Sequence, residues 1–442
     1  MTLSVSAAPV ADPGLSAADR ELVARRQRLL GPAYRLFYDT PVHLVRGEGV
    51  WLFDPAGNAY LDVYNNVASV GHGRPEVVAA IARQAATLNT HTRYLHETIL
   101  VYAERLLARL PPALGHVMFT CTGSEANDLA LRLARAATGG EGVLITRFAY
   151  HGVTRVDAEL SPALGPNGPK SPVARLLPAP DAYRGTGDVG AAFAADVRAA
   201  IADLKAAGIR PAALLVDTIF SSDGVFPEPA GFLAEAVAAI RAEGGLFIAD
   251  EVQPGFGRIG TPFWGFARHG VVPDLVTVGK PMGNGHPVAG VFVRPELVAE
   301  FGRKLRYFNT FGGNPVSCAA GLAVLDVIEG EGLAENAASV GAYLLEGLRA
   351  LAGRHRAIGD VRGAGLFLGV ELVSDRAQKT PDAALAARVV NGLRNRRVLI
   401  SATGPDANIL KLRPPLVFSR ANADLFLDRL DATLTEAAPD QK

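Results

Sequence analysis

Residues 246–258 read Leu-Phe-Ile-Ala-Asp-Glu-Val-Gln-Pro-Gly-Phe-Gly-Arg, and residues 274–283 read Asp-Leu-Val-Thr-Val-Gly-Lys-Pro-Met-Gly. Each stretch opens with a short apolar run, Leu246–Ala249 and Leu275–Val278. The first run stops at a carboxylate, Asp250; the second is followed, one glycine later, by an amine, Lys280. A short strand that stops at a charged residue sets it at the strand's carboxyl end, the edge where open α/β sheets bind ligands. The same grammar extends outward. Apolar strands expected at Val117–Phe119, Val143–Ile145, Ala212–Val216 and Val288–Val293 alternate with helices or loops. This alternation predicts an α/β protein with a mostly parallel sheet covered by helices on both faces.

Around that centre, Ser16 should cap a helix ended by Gly31, after a loose tail over residues 1–14. Gly49–Tyr64 reads as two short strands about the turn Asp54-Pro-Ala-Gly57. Helices are expected from Pro75 to about Leu88 and from Thr98 to Leu110. Two more should run from Pro315 to Glu329 and from Leu333 to Leu351. Beyond them, strands near Leu366–Glu371 and Ile409–Leu412, with helices at about Asp382–Asn395 and Asn422–Leu434, suggest a separate α+β unit.

Composition sets the outer bounds. The chain has 442 residues, 49% hydrophobic and 20% charged, which is enough for more than one structural unit with a large core. Lys plus Arg equals Asp plus Glu at 44 each, so charge gives no reason to expect nucleic acid as a partner. No apolar run approaches a membrane span, and the first residues lack the regions of a signal peptide. Two cysteines, Cys121 and Cys318, suit a reducing compartment, so a soluble cytoplasmic protein is expected.

An acid and an amine delivered to one sheet edge from different strands suit pyridoxal 5'-phosphate (PLP). The amine condenses with its aldehyde, and the acid keeps the pyridine nitrogen protonated so that the ring can accept electrons. Other segments fit that chemistry. Thr120-Cys-Thr-Gly123-Ser124-Glu-Ala ends a strand and opens a helix, where free backbone amides and a hydroxyl make a phosphate site. Read alone it is ordinary capping. Tyr150 follows the next strand and has a flat face for a flat ring, whereas its neighbour His151 reads as structural.

These motifs resemble those of the class III PLP-dependent aminotransferases, of fold type I, and the likeness runs from about Gly49 to about Leu430. It implies a large PLP-binding domain over residues 66–322. A small domain over 323–442 would be joined by an N-terminal segment, 1–65. It also implies that Gly123 and Ser124 hold the cofactor phosphate, Tyr150 stacks on the ring, Asp250 bonds the pyridinium and Val252 packs against the ring. Gln253 would reach the ring hydroxyl, and Lys280 would form the internal aldimine and then move protons. Asp217 ends a strand where the family commonly has Glu-Pro, and is placed with the cofactor ligands. The usual gate glutamate is absent from Ile219-Phe-Ser-Ser-Asp223. Phe308-Asn-Thr310-Phe-Gly-Gly-Asn-Pro315 matches the motif whose threonine reaches the neighbouring subunit's cofactor, implying a homodimer with shared active sites. Lys411 stands where an arginine commonly clamps the substrate carboxylate; Arg35, Lys411 and Arg413 are the candidate substrate-binding cations. No metal is expected.

Within the class, Asn65-Asn-Val-Ala-Ser-Val-Gly-His-Gly73, Gly279-Lys-Pro-Met-Gly-Asn-Gly-His286 and Ile409-Leu-Lys-Leu-Arg-Pro-Pro415 look closest to the ethanolamine-phosphate and phosphohydroxylysine phospho-lyases. Two reactions therefore stand. The first expectation is a transaminase that moves an amino group from an amine or ω-amine to a keto acid or aldehyde. The alternative is a phospho-lyase that eliminates phosphate and ammonia from O-phosphoethanolamine or a similar phospho-amine. Both use the same cofactor residues.

Overall fold

The computed structural model describes residues 14–438, so residues 1–13 of the expected tail lie outside the described residues. A seven-stranded sheet forms the centre. Its order is His116–Thr120, Ala289–Val293, Leu275–Val278, Leu246–Asp250, Pro211–Asp217, Gly142–Thr146 and Ala174–Leu177. The strand Ala289–Val293 is antiparallel to both neighbours, and the remaining pairings are parallel. The edge strand Ala174–Leu177 had no clear sequence signal. It is short, only partly buried, and pairs on one side only.

Successive side chains on a strand point to opposite faces, and this sheet has a core on each. Val143, Ile145, Ala213, Leu215, Ile248 and Leu275 pack with the helix Gly123–Thr138. Leu144, Leu214, Val216, Phe247, Ala249 and Val276 pack into the larger core with the helices Val189–Ala206 and Leu233–Ala242. Burial on both faces explains why these strands read as continuous apolar runs rather than alternating ones.

The helix Gly123–Thr138 is well defined at both ends. Thr122 and Glu125 form a capping box, and Gly139 closes it in a left-handed conformation. The expected N-terminal helix is present as Ala17–Leu30, with Ser16 accepting from the Asp19 N–H and Gly31 at its end.

A five-stranded antiparallel sheet, built around Ile358–Ala364, Phe367–Asp375 and Ile409–Leu412, lies in the C-terminal third. A third sheet joins Arg46–Glu48, Trp51–Phe53 and Ala59–Asp62 to Val398–Leu399, through parallel pairing of Leu61 with Val398. The N-terminal strands are thereby tied to the C-terminal region. The boundary expected after residue 322 falls inside one continuous helix, Pro315–Gly330.

Candidate active site

Strand register assembles the site. Asp217, Asp250 and Thr277 are direct partners across three adjacent parallel strands, so all three reach the same carboxyl edge together. The next turn after Val278 delivers Lys280. A cavity of about 300 Å³ opens there, at the low end of the range for small-molecule sites. Its wall includes Gly123, Ser124, Tyr150, Asp217, Asp250, Val252, Gln253 and Lys280. Sequence reasoning had selected all eight.

Asp250 is fixed by three donors or donor-acceptors. Its Oδ1 accepts the Val252 N–H at 3.1 Å, and its Oδ2 lies 2.9 Å from Asn127 Nδ2 and 2.8 Å from His151 Nδ1. Asn127 is itself held, giving its Nδ2 to the His151 carbonyl and accepting from Thr277 Oγ1 at 2.7 Å. Asn127 and His151 are thus positioning residues. From sequence, His151 reads as structural and Asn127 is not singled out. Only the tertiary structure brings them to Asp250, with residue separations of 123 and 99.

The half-buried Lys280 has its ammonium pKa lowered, first by burial and then by the Arg413 guanidinium, with Asp250 and Asp217 opposing. Its Nζ lies 6.0 Å from the Tyr150 ring centroid, which places amine and aromatic face on one cavity. At the far end, the helix N-terminus presents Gly123 and Ser124, whose N–H groups have no intrahelical acceptor. Space there is scarce. A Cβ on Gly123 would stand 3.0 Å from a Val252 methyl, and one on Gly279 would stand 3.2 Å from the Gly123 nitrogen. Gly152 has φ +147°, and its missing Cβ would lie 2.5 Å from Ser124 Oγ. Backbone can therefore close around an anion here as side-chain-bearing residues could not.

The other expected residues lie elsewhere. Lys411 and Arg413 are buried at the end of the strand Ile409–Leu412, behind the cavity wall. Arg413 donates to Gln253 Oε1 and has its guanidinium 4.4 Å from the Tyr64 ring centroid. Burial holds the Lys411 ammonium pKa well below its usual value, Arg413 adds to this, and Asp217 opposes it. Thr310 and Arg35 are both exposed and do not line the cavity.

The donor set fits PLP. It offers an acceptor-only carboxylate for a protonated ring nitrogen, an amine for an aldehyde, a flat aromatic side chain and a helix N-terminus for a phosphate. A mostly parallel sheet presenting these groups at its carboxyl edge is the architecture of the fold type I class of PLP enzymes.

Comparison with known proteins agrees. Residues 37–434 match the family model for aminotransferase class III. The chain belongs to the class III aminotransferase family. It is 45% identical over 421 residues to the alanine–glyoxylate aminotransferase 2-like protein of Drosophila melanogaster, covering 92% of this chain and 85% of that one. It superposes on a phospholyase from Arthrobacter in complex with phosphoethanolamine with a TM-score of 0.91 and 46% identity, over 94% of this chain and 99% of the other. An amine transaminase from an uncultivated Pseudomonas species, in its PLP-bound form, aligns with a TM-score of 0.82 and 31% identity, over 90% and 96% of the two chains. Among the described residues, no helix is long and apolar enough to cross a membrane.

Proposed function

We propose that this enzyme binds PLP at the cavity between Lys280 and Asp250 and uses it to transfer the amino group of a small amine to a keto acid or aldehyde. The observation that carries the reading is the shared wall. Lys280 has an amine whose pKa is lowered by burial, and it faces the same cavity as an Asp250 locked by Val252, Asn127 and His151. PLP, when bound, supplies an aldehyde for the substrate amine and a ring that accepts electron density. Asp250 would keep the ring nitrogen protonated. Gly123 and Ser124 would hold the phosphate, and Tyr150 and Val252 would sandwich the ring. Lys280 Nζ would take the proton from the carbon bearing nitrogen and return it, work suited to an amine with a lowered pKa.

Lys411 and Arg413, both buried near Asp217 and Gln253, supply positive charge suited to an anionic group on the substrate. Arg35 is assigned to the same role from a more exposed position. The exposed Thr310, between Phe308 (41% exposed) and Phe311 (67%), suits a ligand given to the cofactor phosphate of a second copy, in a homodimer. Two unpaired cysteines agree with a cytoplasmic setting.

Phosphate elimination from a phospho-amine is a second reading. It is supported by the likeness to the Arthrobacter phospholyase and by the two buried cations. One assay separates them: PLP-loaded protein is mixed with O-phosphoethanolamine, without keto acid, and inorganic phosphate is followed over many turnovers. Sustained release identifies a lyase, because transamination without an acceptor stops after one half-reaction. Loss of the cofactor's visible band with an amino donor, and its return on adding pyruvate without phosphate release, identifies a transaminase. Failure to bind PLP would overturn both.

A further inference from the structure

The segment Asp217–Gly224 departs from the family pattern, and in the structure it is wired into the cavity. Phe220 adopts φ +52°, unusual for a residue with a side chain, and folds the chain back after the strand Pro211–Asp217. The turn returns Ser221 to Asp217, which accepts from the Ser221 N–H at 3.1 Å, from the Ser221 hydroxyl, and from the Ile219 N–H at 3.1 Å. The buried Ser221 hydroxyl in turn accepts from Gln253 Nε2, and Gln253 Oε1 accepts from Arg413.

The chemistry gives this chain a direction. A guanidinium only donates, so the Gln253 oxygen must face Arg413 and its amide nitrogen must face the other way. The nitrogen donates to Ser221 Oγ, which leaves the serine proton for the Asp217 carboxylate. Asp217 also faces Asp250 and Lys411, and Lys411 faces Lys280 and Asp223. Gln253 lines the cavity and keeps its second N–H free of these partners.

We propose that Ser221 is a positioning residue, completing a one-way relay from Arg413 through Gln253 and Ser221 to Asp217 that fixes a Gln253 N–H as a donor toward the cofactor's ring oxygen. The inference rests on the PLP reading above. A donor aimed at that oxygen disperses its negative charge and loosens its hold on the proton it shares with the adjacent nitrogen. Losing the Ser221 anchor leaves the amide held only at its oxygen by Arg413, free to swing its N–H off line, so that proton should be held more tightly.

The test is a pH titration of the visible absorbance of PLP-loaded protein. Ser221→Ala should move the midpoint upward by about half to one pH unit, a roughly three- to tenfold change in proton affinity. Ser221→Thr keeps the hydroxyl and should titrate like the unsubstituted protein. In a Gln253→Leu background, adding Ser221→Ala should shift the midpoint no further, since coupled residues are not additive. An unchanged midpoint in Ser221→Ala, beside normal titration of the unsubstituted protein, overturns the relay alone. So does a Ser221→Ala shift that survives in full in the Gln253→Leu background. A protein with no visible cofactor band overturns the PLP reading and the relay with it.

Discussion

Asp157 offers a measurable consequence of how tightly the Gly123–Ser124 end of the cavity is packed. It lies in the short helix Arg155–Glu159 and is fully buried, and neither carboxyl oxygen finds a hydrogen-bond partner among the described residues. A Cβ added to Gly152 would stand 2.7 Å from Asp157 Oδ2, so the carboxyl sits directly against the loop that also packs on Ser124. Burial raises its pKa from 3.8 to about 8 against the opposing pull of the nearby Thr154 hydroxyl, and the Asp128 and Asp250 carboxylates add smaller upward pushes. The folded value lies above the unfolded one, so the fold prefers the protonated acid. The relative stability it confers is full below about pH 4, declines by roughly 1.4 kcal/mol per pH unit, and is lost once pH passes about 8. At pH 7 the accumulated cost approaches about 4 kcal/mol. Asp157→Asn keeps the shape and removes the titration, so the variant should gain on the parent as pH rises. At roughly 2 cal/mol/K of unfolding entropy per residue, a chain of this length converts that cost to a melting-point gain of about 4 °C at neutral pH. Differential scanning fluorimetry of both proteins, with and without PLP, from about pH 4 to about pH 9 would measure the gap. A gap that stays constant across this range, or shrinks as pH rises, would refute a neutral buried carboxyl at this position.

Two further outcomes follow from the same cavity. Gly152→Ala would place a methyl 2.5 Å from Ser124 Oγ at φ +147°, so PLP affinity measured by equilibrium dialysis should fall at least about tenfold, through loss of the phosphate site. Asn127→Ala removes a donor from Asp250 and an acceptor from Thr277 Oγ1, both buried; it should cost about 1–3 kcal/mol in melting experiments and lower kcat more than it raises KM.

Much of the fold could be read from the sequence because burial on both sheet faces makes continuous apolar runs, and each important run ends in a polar residue. Leu246–Ala249 stopping at Asp250 and Leu275–Val278 leading to Lys280 are two examples, and the register then sets Asp250 beside Thr277 and Asp217. What stayed hidden depended on contacts between distant segments. Nothing local marks Asn127 or His151 as partners of Asp250, or ties Leu61 to Val398. Short, half-buried Ala174–Leu177 has neither an apolar run nor an alternating one, so its place as an edge strand is set by the parallel partner Gly142–Thr146. The Ser221 turn was visible only as a departure from family pattern, because a left-handed phenylalanine has no sequence signature.

The residues on the substrate side divide the two proposed reactions by charge rather than by position. Buried cations are tolerated only when something compensates them. Arg413 has the Gln253 oxygen and the Tyr64 face, and Lys411 has the Asp217 carboxylate nearby and the Phe367 ring at 5.6 Å. Yet burial and Arg413 still hold the Lys411 pKa well below its usual value, so its protonation is incompletely supported by the protein alone. An incoming anion would supply the missing support, and a dianion would supply more of it than a monoanion. On the substrate-binding role proposed for Lys411, a phosphate-bearing amine would draw more from it than a carboxylate-bearing one. Lacking the planar fork of an arginine, Lys411 also gives up the bidentate grip that favours a carboxylate. The proposed role predicts that Lys411→Arg would favour carboxylate-bearing over phosphate-bearing amines, read as the ratio of kcat/KM for the two substrate classes.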